Sequence, residues 1–338
     1  MATSSSPRAG RSYLLAEEGD EAMRLVGGWR GVLARATLVV ALGWSAGAEA
    51  KECGGEVACA CGDAVRGATT LAADLVGCTT GLRVKSGAVL DCDGHALLAA
   101  PVDAAEGVVV EGTGAIVRNC TVAGFKTGIR VRGGGGNVVE DNDVVGSGRY
   151  GIELAAATTA NRIAGNLVAD SGDEGVHVGS GADDNVLAGN EIVGSRREDL
   201  YMLDVTGCTV DGNVIRGGGS AAMYVKHASR NVFTDNDVAG RPIQLRGESD
   251  DNVFAGNRLA GVGFVLQAYK DAKRGWKAPR RNQVHGGSVQ GVATCFRFDG
   301  ASYNVADGVG TSGCKTMAQK KSGGLSPVGN RVATVRMP

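Results

Sequence analysis

Large rings and prolines are scarce in this sequence. Of its 338 residues only 3 are Trp, 6 Tyr, 6 Phe and 6 Pro. So few rings exclude a globular core built on aromatic packing, and the absence of a collagen-type glycine period excludes a triple helix. Charge of one sign is missing too: 35 Lys and Arg against 36 Asp and Glu leave a formal charge of −1. That balance argues against a whole-chain nucleic-acid binder and leaves room only for a local basic patch. No apolar run approaches the ~20 residues that a membrane-spanning helix needs. Gly-rich phosphate loops, H-E-x-x-H and G-x-S-x-G are all absent. What is abundant is glycine, with 55 residues, about twice the usual ~7% share. Apolar residues reach 43%, mostly Val, Ala, Leu and Ile. This is ample for a core of small, layered side chains and excludes disorder of the main body.

The first fifty residues read as a processing region. Arg24, Arg30 and Arg35 precede the short apolar run 36–44, and Ala48-Glu49-Ala50 follows it as an A-x-A site. Basic, apolar, then small-residue cleavage is the secretory layout. Cleavage near Ala50 is expected, with the mature chain starting near Lys51 and secreted or periplasmic; Met23 would give a leader of ordinary length. Nine cysteines fit that compartment. Cys53, Cys59, Cys61 and Cys78 cluster after the cleavage site, and Cys295 and Cys314 lie near the other end. These six are expected to staple the two termini, with Cys92, Cys120 and Cys208 buried and free. A metal site at Cys59-Ala60-Cys61 is the sharper alternative, with tighter spacing than the usual zinc pattern.

The body, 68–312, is an internal repeat. One asparagine column runs Asn119, Asn142, Asn166, Asn190, Asn213, Asn236, Asn257, in steps of 23, 24, 24, 23, 23 and 21 residues. Another runs Asn137, Asn161, Asn185, Asn231, Asn252, Asn282, Asn304, with Cys208 standing in for one member. Short alternating segments such as Gly151-Ile-Glu-Leu and Gly175-Val-His-Val precede each phrase, and no stretch carries a 3.6-residue apolar period. A fixed period in the low twenties made of short strands and turns specifies a solenoid. Each repeat is one coil that cannot bury its apolar face alone. Stacking coils at ~4.8 Å pairs every backbone group with the coils above and below. Asparagine then stacks on asparagine as a hydrogen-bonded ladder. The expectation is an all-β fold, a single-stranded parallel β-helix of nine to ten coils. Residues 51–67 would form a Cys-rich N-terminal cap and 313–338 a C-terminal cap or tail.

The phrases Gly-Ile/Val-x-Val and Asn-x-Val-x-x-Asn-x-Val, with Gly87-Ala-Val-Leu-Asp-Cys-Asp-Gly-His-Ala-Leu, resemble the right-handed parallel β-helix repeat family of the pectin-lyase-like fold. The resemblance covers roughly 68–312. It implies a secreted protein of the carbohydrate-binding and sugar-hydrolase group, to which alginate C5-epimerases and periplasmic copper-associated β-helix proteins also belong. The epimerase Asp-Pro-His-Asp motif is absent, as is the paired Asp-Asp pattern of polygalacturonases.

Period-2 alternation assigns the faces of the upstream strand. Inward pairs are Ile129/Val131, Ile152/Leu154, Val176/Val178, Leu200/Met202, Met223/Val225, Ile243/Leu245, Phe264/Leu266 and Phe296/Phe298. The first outward column is Arg130, Glu153, His177, Tyr201, Tyr224, Gln244, Val265, Arg297. The second is Arg132, Ala155, Gly179, Leu203, Lys226, Arg246, Gln267, Asp299. Six coils at ~4.8 Å make a strip of about 25–30 Å, room for several sugar units. Phenol rings there could stack on sugar faces, and Arg130, Glu153, Tyr224 and Gln244 could bind hydroxyls or carboxylates. Outward residues on a solvated sheet are polar in any case, so polarity alone does not mark a site.

Lys226 and Arg246 should stack one coil apart. Lys226-His-Ala-Ser-Arg-Asn followed by Leu245-Arg-Gly is similar to the Lys and Arg pair of β-helix uronate lyases. That resemblance implies Lys226 as base and Arg246 at the leaving oxygen, with His177 and Tyr201 as further catalytic candidates. Those lyases carry acidic calcium ligands just before the Lys, where this chain has Gly217-Gly-Gly-Ser-Ala-Ala-Met-Tyr. No cofactor or metal is therefore assigned: calcium stays open, its acidic ligands unidentified, with Glu198, Asp199 and Asp204 one coil earlier as substitutes in another geometry. Between Gln267 and Asn282 the chain inserts a basic-aromatic loop in which Lys273, Arg274 and Trp276 could clamp an anionic polymer. The expected partner is thus an anionic polysaccharide, with no nucleic acid and no transmembrane anchor, and the chain a monomer. If it is an enzyme, a polysaccharide lyase or uronate epimerase fits better than a hydrolase. The rival is a non-catalytic envelope scaffold, or a periplasmic accessory protein related to the copper-associated β-helix proteins.

Overall fold

The computed structural model describes residues 51–101, 104–273, 275–320 and 325–337. The expected leader and its cleavage site lie outside them. Every regular element among the described residues is a strand. A typical coil consists of Tyr150–Leu154, Arg162–Ala164 and Leu167–Ala169. The next coil repeats all three in parallel register, with Ile152 opposite Val176, Arg162 opposite Val186 and Leu167 opposite Glu191. Repetition gives one 13-stranded parallel sheet and a second, 22-stranded assembly formed by the two shorter strands of each coil. The result is a parallel β-solenoid of about 11 turns, slightly more than the nine to ten expected.

The extra turns come from the ends. Glu52–Cys53 pairs with Ala64–Val65, which pairs with Arg83 and Val84. Lys315–Lys320 pairs with Thr294–Asp299, and Arg331–Arg336 with Val305–Ser312. Coil pairing therefore runs past both limits of the 68–312 span. At the C-terminal end Asn330 prolongs an asparagine column, its Oδ1 accepting from Asn304 Nδ2 at 3.0 Å.

Small aliphatic side chains alternate into a narrow interior, where Ile152, Leu154, Ile163 and Val168 are all fully buried. The corners are closed by buried asparagines. Asn166 Oδ1 accepts from the backbone N–H and the Nδ2 of Asn142, at 3.0 and 2.9 Å, while its own Nδ2 donates to Asn190 Oδ1 at 2.9 Å. Each ladder residue is preceded by one in the left-handed region, as at Asp141 (φ 53°), Gly165 (φ 64°) and Gly189 (φ 62°). Glycine suits such corners because it has no Cβ to clash.

That corner geometry corrects one assignment. Asn119 (φ 55°) occupies the turn position, one residue before the column. Cys120 holds the ladder place, its N–H donating to Asn142 Oδ1 at 3.0 Å, so this ladder starts at Asn142.

The cysteine pairing follows the coils. Cys53–Cys59, Cys61–Cys78 and Cys295–Cys314 staple the termini as expected. Both sulfurs of the Cys59-Ala60-Cys61 segment are thereby in disulfides, and no metal site forms there. Cys92 and Cys120, expected to be free, are bonded to each other. Asp91 pairs with Arg118 on the next coil, which stacks the turns that follow and brings the two thiols together. Cys208 alone is free, and it is buried.

Candidate functional site

The outward columns fall where alternation puts them. Arg130 pairs with Glu153, Glu153 with His177, His177 with Tyr201, and Tyr201 with Tyr224. Tyr224 then pairs with Gln244, Gln244 with Val265, and Val265 with Arg297. In the second column Leu203, Lys226, Arg246 and Gln267 follow one another.

Vertical stacking at β-sheet spacing dictates what the rings do. Tyr150 and His177 stack with centroids 4.4 Å apart, His177 and Tyr201 at 5.2 Å, and Tyr201 and Tyr224 at 5.4 Å, all within 20° of parallel. The Arg149 guanidinium covers the free face of Tyr150, 4.3 Å from its centroid. Both faces of Tyr150, His177 and Tyr201 are thus covered, so these three rings are not platforms for sugars, while Tyr224 is stacked on one face only. Elsewhere the strip offers a ligand ring edges and hydroxyls. Burial pushes the Tyr201 phenol well above its ordinary pKa, helped by the adjoining Tyr224 and by the Glu174 and Glu198 charges. Tyr150 moves in the same direction, again chiefly through burial. Both phenols therefore stay neutral at physiological pH and can donate a proton to a hydrogen bond.

At its N-terminal end the strip's charges are paired with one another. Arg130 reaches Glu106 at 3.0 Å and Glu153 at 3.2 Å. Toward the C-terminal end it turns cationic. Arg246 donates to the Tyr224 hydroxyl at 3.1 Å. Its guanidinium lies 4.9 Å from the centroid of Tyr269, and the Lys226 ammonium lies 4.8 Å from that same ring. No carboxylate comes within ion-pair distance of Lys226 or Arg246 among the described residues.

Tyr269 is held there by the inserted loop, which folds as an antiparallel hairpin. Tyr269 pairs with Lys277, and Lys270 with Trp276. An edge contact between His227 and Tyr269 and an ion pair between Lys277 and Glu248 fasten the hairpin to the coils. It forms a wall along the second column, with Lys273 exposed and Trp276 half-buried. Arg274 lies outside the described residues. Of the four catalytic candidates, His177 and Tyr201 touch each other, and Lys226 and Arg246 share one ring. Tyr224 links the two pairs, stacking on Tyr201 and accepting from Arg246.

Three residues of this face escape period-2 reading. Tyr150, Glu174 and Glu198 each stand three positions before an outward residue, at Glu153, His177 and Tyr201. Alternation slips between them because the intervening Gly175 also points inward: a Cβ there would lie 2.5 Å from Ile192 Cγ2. The repeated offset of an acid before His177 and Tyr201 was the available signal. Glu174 and Glu198 are nearly buried, with Arg197 laid across them at 3.4 and 3.6 Å. Ser220 donates to Glu198 at 2.6 Å.

Among the described residues no set of donors fits calcium. Asp199, one coil before Lys226, is fully buried. It faces inward at the position where the preceding coil has Gly175 and the following coil Ala222, and accepts from the backbone N–H groups of Ser195 (3.1 Å) and Gly218 (2.7 Å). Burial raises its pKa to about 7. No cluster of three or more metal-binding side chains occurs among the described residues.

The A-modules of two Azotobacter vinelandii mannuronan C-5 epimerases share the architecture. AlgE4 superposes with a TM-score of 0.53 at 14% identity, covering 80% of this chain and 91% of that one. AlgE6 gives 0.52 at 16%, covering 80% and 82%. No curated protein matches the sequence. The profile of the right-handed β-helix region matches three overlapping spans, 77–195, 106–259 and 159–295. Together these take in well over half of the residues, and the chain belongs to the right-handed β-helix family.

Proposed function

We propose that this chain binds an anionic polysaccharide along the Tyr150–His177–Tyr201–Tyr224 strip and processes it where the strip meets Lys226 and Arg246. One observation carries the reading: a row of phenols and an imidazole runs into two cations that, among the described residues, have no carboxylate within ion-pair distance. Hydroxyl-bearing sugars match the row, and an acidic group matches the cations. Two β-helix modules of similar architecture are mannuronan C-5 epimerases, which agrees with a uronate as substrate. Four disulfides agree with a secreted or periplasmic setting.

The chemistry follows from those groups. Lys226 and Arg246 would balance a uronate carboxylate, which acidifies the neighbouring C–H. His177 would take that proton, and the neutral Tyr201 phenol would supply one. Delivery to the opposite face of the carbon is epimerisation. Delivery to the glycosidic oxygen, as the C–H electron pair forms the C=C bond and the C–O bond breaks, is lyase cleavage.

A second reading, a non-catalytic scaffold, is favoured by the closed ring faces and by the internal pairing of Arg130 with Glu106 and Glu153. One assay separates the two: alginate, pectate and chondroitin are incubated with the protein. Ultraviolet absorbance reports unsaturated uronate, and proton NMR reports epimerised residues. Product that disappears in Lys226→Ala supports processing. Binding without product reduces the function to recognition, and neither leaves the scaffold.

A further inference from the structure

We infer that Glu174 is a positioning residue that fixes the proton of His177 on Nδ1 and so turns Nε2, as a bare acceptor, toward the strip. The inference rests on the strip being the working face and deepens that reading. His177 is clamped: Tyr150 and Tyr201 cover both faces of the imidazole at 4.4 and 5.2 Å, so it can meet a partner only at its edge. On one edge Nδ1 is sealed from solvent without a hydrogen-bond partner, and so is Glu174 Oε2. These two orphaned atoms lie 3.8 Å apart.

A buried donor and acceptor left unmade are both costly, and at this separation a rotation of either side chain would join them. Contacts of this kind are commonly long before a ligand binds. The division of the carboxylate supports the same picture. Oε1 of Glu174 faces Arg197 Nη1 at 3.4 Å, which leaves Oε2 for the imidazole. A carboxylate paired with a guanidinium can only accept, so the shared proton must sit on Nδ1. In the neutral ring the lone pair then belongs to Nε2, which is not among the sealed atoms.

That is the arrangement a base or a hydroxyl acceptor at the strip requires, with its tautomer set from behind by a carboxylate. Glu198, one coil on, has no ring nitrogen before it. It accepts from Ser220 and faces Arg197, so the pairing is particular to the His177 coil.

The test reads the tautomer directly in the free protein. Two-bond proton–nitrogen correlation spectra of 15N-histidine-labelled protein are recorded where the ring is neutral. The His177 signal is picked out of the four histidines by its loss in His177→Gln. Expected is a pyridine-type nitrogen at Nε2 in the wild type, and a pyridine-type signal shared between both nitrogens in Glu174→Leu. A pyridine-type signal at Nδ1 in the wild type overturns the inference. So does a folded Glu174→Leu protein with the wild-type pattern. If Glu174→Leu does not fold, the wild-type spectrum decides alone. No polysaccharide is present, so this result stands or falls separately from the glycan assay.

Discussion

Replacing Asn166 by Ala probes the ladder at its centre. The Asn166 side chain accepts from Asn142 N–H and Nδ2 and donates to Val139 C=O and Asn190 Oδ1, all between 2.9 and 3.0 Å. The residue is only 1% exposed, so water does not already share these bonds. Asn142 Nδ2 keeps Val117 C=O, and Asn190 Oδ1 keeps the backbone N–H of residue 166. The Asn142 backbone N–H is left with nothing. An orphaned buried donor costs about 1–3 kcal/mol, and each of the other three bonds about 0.5–1.5. The sum is about 5 kcal/mol, with a floor of about 2 if a water enters the vacated space. Equilibrium urea unfolding with disulfides oxidised should show this as a lower midpoint at an unchanged slope. Glu191→Ala, at an exposed position on the same coil boundary, should stay within about 0.5 kcal/mol of wild type. A loss below about 1 kcal/mol for Asn166→Ala would refute the claim that the asparagines bind coil to coil.

Two further outcomes follow from the same interior. Cys208 interrupts one ladder, and Asn185 Nδ2, lacking an amide on the next coil, donates to Ala182 C=O instead. Cys208→Asn should complete the column and raise stability by about 1–2 kcal/mol in the same urea assay, since the new amide gains two or three bonds; a destabilised variant would contradict this. Asp199 has a folded pKa raised from 3.8 to about 7. Its burial is therefore best tolerated below pH 4, and stability is lost as pH rises from about 4 to 7, by something on the order of 4 kcal/mol. Asp199→Asn should be relatively more stable at pH 8 than at pH 5; a pH-independent difference would mean that the carboxyl is not titrating in the fold.

Period and alternation made most of this architecture legible before any coordinates. A step of two dozen residues fixes which side chains stack, so the Arg130-to-Arg297 column and the Lys226–Arg246 neighbours could be written down from spacing alone. Details of a single coil were not legible. Asn119 has the right spacing to within a residue, but only backbone conformation tells a left-handed corner from the ladder place beside it. Cys92 and Cys120 are 28 residues apart, and an insertion in that coil hides the fact that this is one turn plus a residue. The Tyr rings looked like sugar platforms because the sequence places them on one face. It does not reveal that rings repeating at coil spacing consume each other's faces. Glu174 was missed because an inward glycine breaks the alternation just before His177.

The most direct measurement is the affinity of an anionic polysaccharide for the cationic end of the strip. Titration calorimetry with the glycan that binds best should show at least about a tenfold loss for Lys226→Ala and for Arg246→Ala, the share of one charge-assisted contact. Arg216→Ala should leave affinity unchanged, because that side chain sits on another face and is paired with Asp237 at 2.7 Å. Equal losses at all three positions, or wild-type affinity without Lys226 and Arg246, would contradict the account.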